Sequence, residues 1–234
     1  MSADFSPWYE RVYPKLSGRG LWLRGGELNT LLPAEAARRP FRFLIARLST
    51  YQDTAESFTQ TMLYALACHV TGVLPDLAYL PPRHDRPLFD RDKVPWLLGT
   101  QTKRGPRDFD LVGFSNSIVQ ELVNLPTMLE RSSLPLRKSE RMNDASVPLV
   151  ILGGANALYS SVLWTDDPMV DGVFVGEEEA SIVRLLEICR DGKRKGEAKA
   201  KVLKRLESVP GFFQPDRRRR TRKRQAFFSR KDTF

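Results

Sequence analysis

The sequence of 234 residues predicts an α/β fold built on a parallel sheet with helices on both faces. Short apolar runs recur along the chain, each too short for a buried helix and typical of strands that are covered on both faces. Stretches with helical spacing of apolar residues separate these runs. The resulting order is β-α-β, then β-α-β, then β-α. This alternation is typical of parallel strands that are joined by right-handed crossovers.

The N-terminal part of the chain supplies the first predicted strand. Residues 1–40 are predicted to form an irregular leader whose aromatic residues pack on another part of the protein. The run FRFLIARL at 41–48 is the first strand, and the polar residues Ser49 and Thr50 follow it. Asp53 begins a capping-box pattern, which predicts a helix that ends shortly before a glycine. The predicted buried face of this helix consists of Ala55, Phe58, Met62 and Leu66.

The second and third predicted strands cover residues 77–80 and 111–114. The third strand ends in the polar turn Ser115, Asn116 and Ser117. Ser117 and the glutamine three residues later form a capping-box pattern that predicts another helix. The predicted buried face of that helix consists of Ile118, Leu122, Leu125 and Leu129. Open parallel sheets bind ligands beyond the carboxyl ends of their strands, so this turn is predicted to form part of a binding site.

Two more strands are predicted at 148–152 and 172–175, before a helix at 179–189. The fourth strand leads into Gly153, Gly154, Ala155 and Asn156, and the fifth leads into Gly176 and Glu177. Glycines allow a ligand to approach the backbone closely, although a glycine pair also makes a tight turn. The acidic run at 177–179 could serve acid–base chemistry, but acids that open a helix also complement its dipole. The helix is predicted to bury Ile182, Val183, Leu186 and Cys189.

The positive charge of the chain is concentrated at its C-terminal end. The whole sequence has 37 Lys and Arg residues against 28 Asp and Glu residues, which gives a net charge of +9. Residues 1–189 hold 20 basic and 23 acidic side chains, whereas residues 190–234 hold 17 basic and 5 acidic ones. The body of the protein is therefore mildly acidic. Binding to a polyanion would depend on the C-terminal segment alone.

Several classes of protein are disfavoured by the composition. Cys68 and Cys189 are the two cysteines, so neither a disulfide framework nor an iron–sulfur cluster held by this chain is expected. No apolar stretch is long enough for a transmembrane helix, and the N-terminus has no signal-peptide core, which predicts a cytoplasmic protein without a membrane partner. No nucleophile–base pair, phosphate loop or metal-ligand cluster is recognisable, so no catalytic or metal-binding residue is predicted.

The ordered motifs resemble one known family. FDLVGFSNS, PLVILGGANAL and DGVFVGEEEA occur in this order, with LRGGELN before them and VPGFFQPD after them. This set resembles the N-terminal cobalamin (B12)-binding-like domain of B12-dependent radical SAM proteins, in the branch of uncharacterised fusion proteins. The resemblance covers about residues 23–216 and implies a flavodoxin-like or Rossmann-like sheet. The three-cysteine motif of the radical SAM barrel is missing from this sequence.

The resemblance implies a cofactor, a site and a partner. Cobalamin would bind at the strand ends, where backbone without side chains admits a bulky corrinoid. The implied cofactor-binding residues are Ser49, Thr50, Ser115, Asn116, Ser117, Gly153, Gly154, Ala155, Asn156, Gly176 and Glu177. The domain would be an accessory module of a radical SAM catalytic chain or domain and would not be catalytic alone. The cofactor supplies methyl-transfer or radical chemistry in such systems, and the protein supplies its placement.

Two departures from the family pattern are visible in the sequence. Many cobalamin domains carry Asp-x-His-x-x-Gly directly after the first strand, and that histidine coordinates cobalt. The corresponding loop here has no histidine, and His69 follows only at the predicted end of a helix, where it would complement the helix dipole. The corrinoid is therefore expected to bind without a protein histidine on cobalt. At the rim, Glu178 replaces the second glycine of a Gly-Glu-Gly-Glu pattern.

The predicted organisation has three segments and leaves two alternative functions open. The segments are a leader at 1–40, the cobalamin-binding-like domain at 41–192, and a basic helical or disordered extension at 193–234. In one alternative the pocket has decayed, and the domain serves as a structural docking module. In the other, the protein binds nucleic acid through weak contacts of the basic run from Arg217 to Arg224. Retention of a corrinoid would separate the main hypothesis from both alternatives.

Overall fold

The computed structural model describes residues 3–26, 31, 33–54, 58–154, 156–157, 165–176 and 178–217. Its centre is a six-stranded sheet in the order β2-β1-β3-β4-β5-β6. The strands are β1 (Phe41–Arg47), β2 (Val73–Ala78), β3 (Leu111–Ser115), β4 (Leu149–Gly153), β5 (Gly172–Phe174) and β6 (Phe212–Phe213). β1 to β5 are parallel, and β6 runs antiparallel to β5. This arrangement confirms the predicted α/β fold of the flavodoxin-like or Rossmann-like type.

Helices surround the sheet. The α-helices are α1 (Ser6–Val12), α2 (Pro33–Ala37), α3 (Tyr51–Thr54), α4 (Phe58–His69), α5 (Arg86–Arg91), α6 (Leu125–Glu130), α7 (Lys138–Asn143), α8 (Glu179–Arg194) and α9 (Lys199–Leu206). Short 3-10 helices cover Tyr13–Lys15, Ser17–Leu23, Pro106–Asp108 and Val119–Asn124. In the described residues, no helix is both long and apolar enough to cross a membrane.

The strand order decides on which face each crossover lies. The chain moves from β1 to β2 in one direction and from β3 through β4 to β5 in the other. Because crossovers between parallel strands are right-handed, the connections after β1 and after β3 lie on opposite faces of the sheet. α4 and α8 contact each other, and α4 also contacts β1 and β2. These two helices therefore cover one face, and the space between them and the sheet becomes the candidate site.

The described part of the N-terminal leader packs against the body of the protein through its aromatic residues. Trp8 and Trp22 pack against Phe89 with ring centroids 4.9 and 5.8 Å apart, respectively. The buried Asp85 carboxylate accepts hydrogen bonds from the backbone and hydroxyl of Ser17 and from Trp22 Nε1. Burial of these rings and the satisfied carboxylate stabilise the leader against the body. The predicted boundary at residue 40 stays a prediction, but the hydrophobic core extends across it.

The segment after residue 192 also belongs to the folded body as far as the structure describes it. α9 packs on α8, and β6 adds an antiparallel strand to the edge of the sheet. The Phe212 ring lies where a side chain on Gly172 would have to be, 2.4 Å from the ideal Cβ position. The described part of the predicted helical or disordered extension is thus a helix and a paired strand. The boundary at residue 192 stays a prediction.

The second strand covers Val73–Ala78, whereas the sequence predicted residues 77–80. Its buried Asp76 interrupts the apolar pattern and hid the strand. The Asp76 carboxylate accepts hydrogen bonds from the backbone N–H of Gln101 at 3.0 Å and of Thr102 at 2.9 Å. A carboxylate that is surrounded by donors can be buried in a strand. These donors come from a distant loop, so the local sequence gives no sign of them.

The helix after β1 differs from its prediction in cap and in buried face. Thr50 is the capping residue, with Thr50 N donating to Asp53 Oδ2 at 3.1 Å and Asp53 N donating to Thr50 Oγ1 at 3.4 Å. The predicted cap residue Asp53 is therefore the third helical residue of this box. In α4 the buried residues are Gln60, Tyr64 and Ala67. Phe58 is 76% exposed, and the predicted Ala55 lies outside the described residues.

Candidate functional site

The candidate site lies at the carboxyl edge of the sheet, which is the edge where β1 to β5 end. The sheet changes its direction of growth between β1 and β3. Ligands of open α/β sheets bind at such a switch point. Ser49 and Thr50 follow β1 here, and Ser115 is the last residue of β3. The structure therefore brings the predicted residues of the first and third strands to one edge.

A pocket of about 410 Å³ opens at this edge, between the sheet and the helices α4 and α8. Its walls are apolar, with Met62 and Leu63 from α4 and Ile182 and Leu185 from α8. Phe58 stands at the start of α4 and lines the pocket while most of its side chain is exposed. Three of the apolar residues that the sequence assigned to buried helix faces, Phe58, Met62 and Ile182, thus line a pocket.

The floor of the pocket follows from the strand register. Gly113 in β3 is paired with Ile151 in β4, and Ser115 is paired with Gly153. Paired residues of parallel strands point to the same face, and side chains alternate between faces along a strand. Gly113, Ser115, Ile151 and Gly153 therefore share one face, and all four line the pocket. Gly153 leaves its part of the floor without a side chain, whereas the Phe43 ring lies 2.8 Å from the ideal Cβ position of Gly113 and covers that glycine.

The two adjacent glycines after β4 have different roles. Gly154 has a φ of +104°, and a Cβ on it would lie 2.4 Å from the backbone oxygen of Asn116. Its lack of a side chain is thus required by the turn itself. Gly153 has no such restriction, because its ideal Cβ would meet the nearest atom, the backbone oxygen of Phe174, at 3.7 Å. Gly153 is the glycine at which a side chain could enter the pocket without straining the backbone.

A buried arginine lies at the switch point, and sequence reasoning did not find it. Arg47 ends β1 with its side chain only 3% exposed. Its Nη1 donates to Ser117 Oγ at 2.7 Å and to Ser115 Oγ at 3.4 Å, and its Nη2 lies 3.5 Å from Glu121 Oε1. Burial lowers the pKa of the Arg47 guanidinium, which the nearby Glu121 carboxylate only partly opposes. We call Arg47, Ser49, Ser115, Ser117 and Glu121 the Arg47 cluster.

Comparison with protein families identifies the domain that holds this site. The family described as "Radical SAM proteins, N-terminal" matches residues 59–215. The chain belongs to this family. The matched span contains both helical walls of the pocket and every strand from β2 to β6, while Arg47 lies before it. No curated protein and no solved structure matches the chain.

In this radical SAM N-terminal domain, Ser117 does not cap a helix as predicted. The helical segment after β3 is the 3-10 helix Val119–Asn124, whose cap residue Ile118 makes no side-chain cap bond. Ser117 Oγ accepts the hydrogen bond from Arg47, and Ser117 N donates to Glu121 Oε2 at 3.2 Å. The predicted buried residue Ile118 is mostly exposed. The α-helix begins only at Leu125, because the proline after it fits the first turn of a helix and not its interior.

Asn116 and Asn156 join the turns after β3 and β4. The Asn116 backbone N–H donates to the Gly153 oxygen at 2.8 Å, and Asn156 Nδ2 donates to the Ser117 oxygen. The Asn116 side chain is fully buried, and its Nδ2 and Oδ1 have no hydrogen-bond partner among the described residues. Buried amides are normally satisfied. The two turns therefore form one connected rim in which Asn116 retains polar groups for a further partner.

The other predicted site residues are Thr50, Ala155, Gly176 and Glu177. Gly176 lines the pocket at the edge where β5 ends. Thr50 uses its hydroxyl to bond Asp53 at 2.6 Å, as the cap of α3. Ala155 and Glu177 lie outside the described residues. Contact of the predicted site residues with a cofactor stays a prediction.

Neither histidine of the chain lies at the pocket. His69 is the last residue of α4, and its Nδ1 lies 2.8 Å from the Ala65 backbone oxygen. His84 is exposed in the segment before α5. In the described residues there is also no group of three or more His, Cys, Asp or Glu side chains that could hold a metal ion. Cys189 is buried in α8, and burial raises the pKa of its thiol to about 12, which keeps it neutral.

The basic run that the sequence associated with nucleic acid is only partly described. Arg217 donates to Glu207 Oε1 at 2.9 Å, so this arginine is engaged with the folded body. The rest of the run to Arg224 lies outside the described residues. Weak nucleic-acid contact through this run stays a prediction.

Proposed function

We propose that this domain binds cobalamin as the accessory module of a radical SAM enzyme. The observation that carries the proposal is the apolar pocket between the sheet and the helices α4 and α8. Small-molecule sites have volumes of roughly 300–1,000 Å³ and mostly apolar walls. The pocket of about 410 Å³ falls in this range and opens at the ligand-binding edge of the fold. The nucleotide tail of cobalamin ends in a flat apolar base, which matches such a cavity.

The residues present fit the tail of this cofactor. Gly153 leaves its part of the pocket floor free of a side chain, so a flat ring can lie against the end of β4. Leu63 and Ile182 supply apolar contacts from the two helices. Ser115 places a hydroxyl at the mouth, where the polar part of the tail would emerge. These residues would hold the base by burial of apolar surface and would orient the tail through the mouth.

The corrinoid supplies the methyl-transfer or radical chemistry when it is bound, and the chain supplies its placement. The residues that follow β1 are Leu48, Ser49 and Thr50, and none of them is a cobalt ligand of the histidine type. We therefore propose that the domain holds the cofactor through its tail alone and works with a radical SAM catalytic chain or domain. By itself it is proposed to be non-catalytic.

Substitution of Gly153 by valine tests this proposal. The protein is purified in the presence of hydroxocobalamin, freed of unbound cofactor by gel filtration and measured by its visible spectrum. Wild-type protein is expected to retain the corrinoid. Gly153→Val places a side chain on the pocket floor without backbone strain, so we expect at least about tenfold weaker retention, as for a blocked apolar site.

The control adds the same side chain at the exposed position Ala200 in α9. Ala200→Val should retain as much corrinoid as the wild-type protein. Both variants should show an unfolding transition close to that of the wild type, which separates a blocked pocket from a misfolded domain. Equal retention in Gly153→Val and Ala200→Val would remove the pocket from the proposal, and no retention in the wild type would refute cobalamin binding.

A further inference from the structure

Arg47 is a buried cation whose hydrogen bonds are incomplete. A buried guanidinium is normally paired with a close carboxylate, because an isolated charge is strongly disfavoured in the interior. The closest acceptors of Arg47 are the neutral hydroxyl oxygens of Ser117 and Ser115, and its carboxylate neighbour Glu121 is 3.5 Å away. The Arg47 Nε has no acceptor among the described residues. The guanidinium therefore has capacity for a further anionic partner.

Glu121 occupies a position at which donors converge on a negative charge. Its Oε1 accepts the hydroxyl of Ser49 and faces Arg47 Nη2, and its Oε2 accepts the backbone N–H of Ser117. A hydroxyl, a backbone N–H and a guanidinium are the groups that proteins use to bind phosphate and carboxylate. The Glu121 carboxylate thus stands where the anionic group of a ligand could be received.

The segment that carries Glu121 is anchored by the buried Leu122 and by Asn124, whose Nδ2 donates to the Leu48 oxygen at 2.9 Å. Glu121 belongs to the 3-10 helix Val119–Asn124, a short helix with weaker hydrogen-bond geometry than an α-helix. Val119 and Val123 of this helix are 42% and 74% exposed. Exchange of the carboxylate requires only rotation of the Glu121 side chain away from Arg47, while Leu122 and Asn124 keep the helix in place. The carboxylate can therefore be exchanged for another anion.

The Arg47 cluster is joined to the pocket by a single side chain. Ser115 lines the pocket and accepts a hydrogen bond from Arg47. The strand register places Arg47 and Ser115 side by side on the same face of the sheet. A ligand whose apolar base fills the pocket would have the next part of its tail beside this cluster. A phosphate at that point would meet the guanidinium and two hydroxyls.

We propose that Arg47, Ser49 and Ser117, the groups that hold the Glu121 carboxylate, form a site for the phosphate of a nucleotide-bearing ligand, and that Glu121 occupies this site until the ligand displaces it. The inference rests on the proposed function, because cobalamin carries a phosphodiester between its base and its corrin ring. It adds a residue, Arg47, and a mechanism, exchange of an internal carboxylate for a ligand phosphate. The exchange keeps the buried cation paired in both states, so neither state leaves an isolated charge in the interior.

Affinity measurements on three variants test the exchange. Equilibrium binding of hydroxocobalamin and of cobinamide, which lacks the phosphate and the base, is measured with Arg47→Met, Arg47→Lys and Glu121→Gln. Arg47→Met should weaken cobalamin binding by about tenfold or more, the size of a lost charge-assisted hydrogen bond. Arg47→Lys keeps the charge but not the fork of donors and should lose less. Binding of cobinamide should change in none of them.

Glu121→Gln distinguishes exchange from a purely structural pair. Loss of the competing negative charge should tighten cobalamin binding several-fold, whereas a structural role of the pair would make this variant bind more weakly, as Arg47→Met does. Weaker cobalamin binding in Glu121→Gln, with an unfolding transition like that of the wild type, would overturn the proposal.

A measurement with inorganic phosphate separates this inference from the proposed function. Inorganic phosphate, added at constant ionic strength, should raise the unfolding temperature of Glu121→Gln more than that of the wild type, and should leave that of Arg47→Met unchanged. If the wild type binds no cobalamin but phosphate stabilises Glu121→Gln most and Arg47→Met not at all, the cofactor proposal fails and the anion site is supported. If phosphate acts equally on all three proteins, the anion site is refuted whatever the corrinoid does.

Discussion

Two arginines that are buried within the described part of the chain lie at opposite edges of the sheet and differ in how well they are paired. At the amino edge, where the parallel strands begin, Arg141 donates to Asp171 Oδ1 from Nε at 3.0 Å and from Nη2 at 2.8 Å, and its Nη1 donates to two backbone oxygens. Both side chains of this pair are 0% exposed. At the carboxyl edge, Arg47 donates to the hydroxyls of Ser117 and Ser115, and the Glu121 carboxylate lies 3.5 Å from its Nη2. The Arg47 Nε has no hydrogen-bond partner among the described residues.

This difference shows at which edge the protein's own groups pair the buried charges completely. The remaining Asp171 oxygen accepts the Val150 N–H at 2.7 Å, so the pair at the amino edge satisfies its charges within the protein. The pair at the carboxyl edge leaves donor capacity next to a pocket. A buried ion pair adds little net stability by itself, but its disruption leaves an uncompensated charge in the interior. The two arginines should therefore respond differently to substitution.

The largest effect is expected at the amino edge. Arg141→Met leaves the Asp171 carboxylate buried without its cation, and we expect a loss of about 3–5 kcal/mol in the free energy of unfolding. Asp171→Asn should be destabilising by a similar mechanism, since it leaves Arg141 buried without a counter-charge. Urea denaturation followed by circular dichroism measures both. The exposed pair Arg184–Glu187 supplies a control, because Arg184→Met should change stability by less than about 0.5 kcal/mol.

A smaller effect is expected at the carboxyl edge. Arg47→Met should lower the free energy of unfolding by about 1–2 kcal/mol, because Glu121 keeps its bonds to Ser49 and to the Ser117 backbone. The same urea experiment measures it. A loss as large as that of Arg141→Met would contradict the comparison, since it would mean that Arg47 is paired as completely as Arg141 is.

A third buried cation, Lys103, extends the comparison, because its titration makes the free energy of unfolding depend on pH. Lys103 forms no salt bridge among the described residues, and its Nζ donates to the backbone oxygens of Arg24 and Thr100 and lies 4.5 Å from the Tyr9 ring centroid. Burial lowers the pKa of Lys103 from the usual 10.5 to about 8. Between these values the unfolded chain binds more protons than the folded protein, so this group makes the free energy of unfolding rise with pH.

We expect a gain of about 1 kcal/mol from Lys103 between pH 8 and pH 9, relative to Lys103→Met over the same range. Urea denaturation at both pH values measures the two slopes, and the variant removes this titration while it leaves the others in place. Identical slopes in the two proteins would mean that the lysine keeps its usual pKa, and that backbone oxygens and an aromatic ring stabilise a buried ammonium as well as water does.

Much of the fold could be predicted because its strands are local apolar runs. The strands β1, β3, β4 and β5 agree with the predicted runs to within two residues. β2 was misplaced because Asp76 is satisfied by a loop that lies far from it in the sequence. β6 was missed because two residues carry no periodicity, and its pairing with β5 spans a helix pair.

The candidate site could be predicted only as a set of strand ends. The glycines and serines after β3 and β4 were visible as small polar turns, and most of them do meet at one edge. Arg47 could not be predicted as a site residue, because its contacts are with Ser117 and Glu121, which are distant in sequence. The different roles of Gly153 and Gly154 were also hidden, since they depend on the close approach of the Asn116 backbone.

The antiparallel direction of β6 determines where the polypeptide leaves the domain. Phe212 pairs with Phe174 and Phe213 pairs with Val173, so the chain runs back from the carboxyl edge to the amino edge. There Lys138 Nζ bonds Asp216 Oδ1 at 2.6 Å. A force applied at residue 217 would thus act on the sheet at the edge where Arg141 and Asp171 are paired. That edge lies at the opposite end of the strands from the mouth of the pocket.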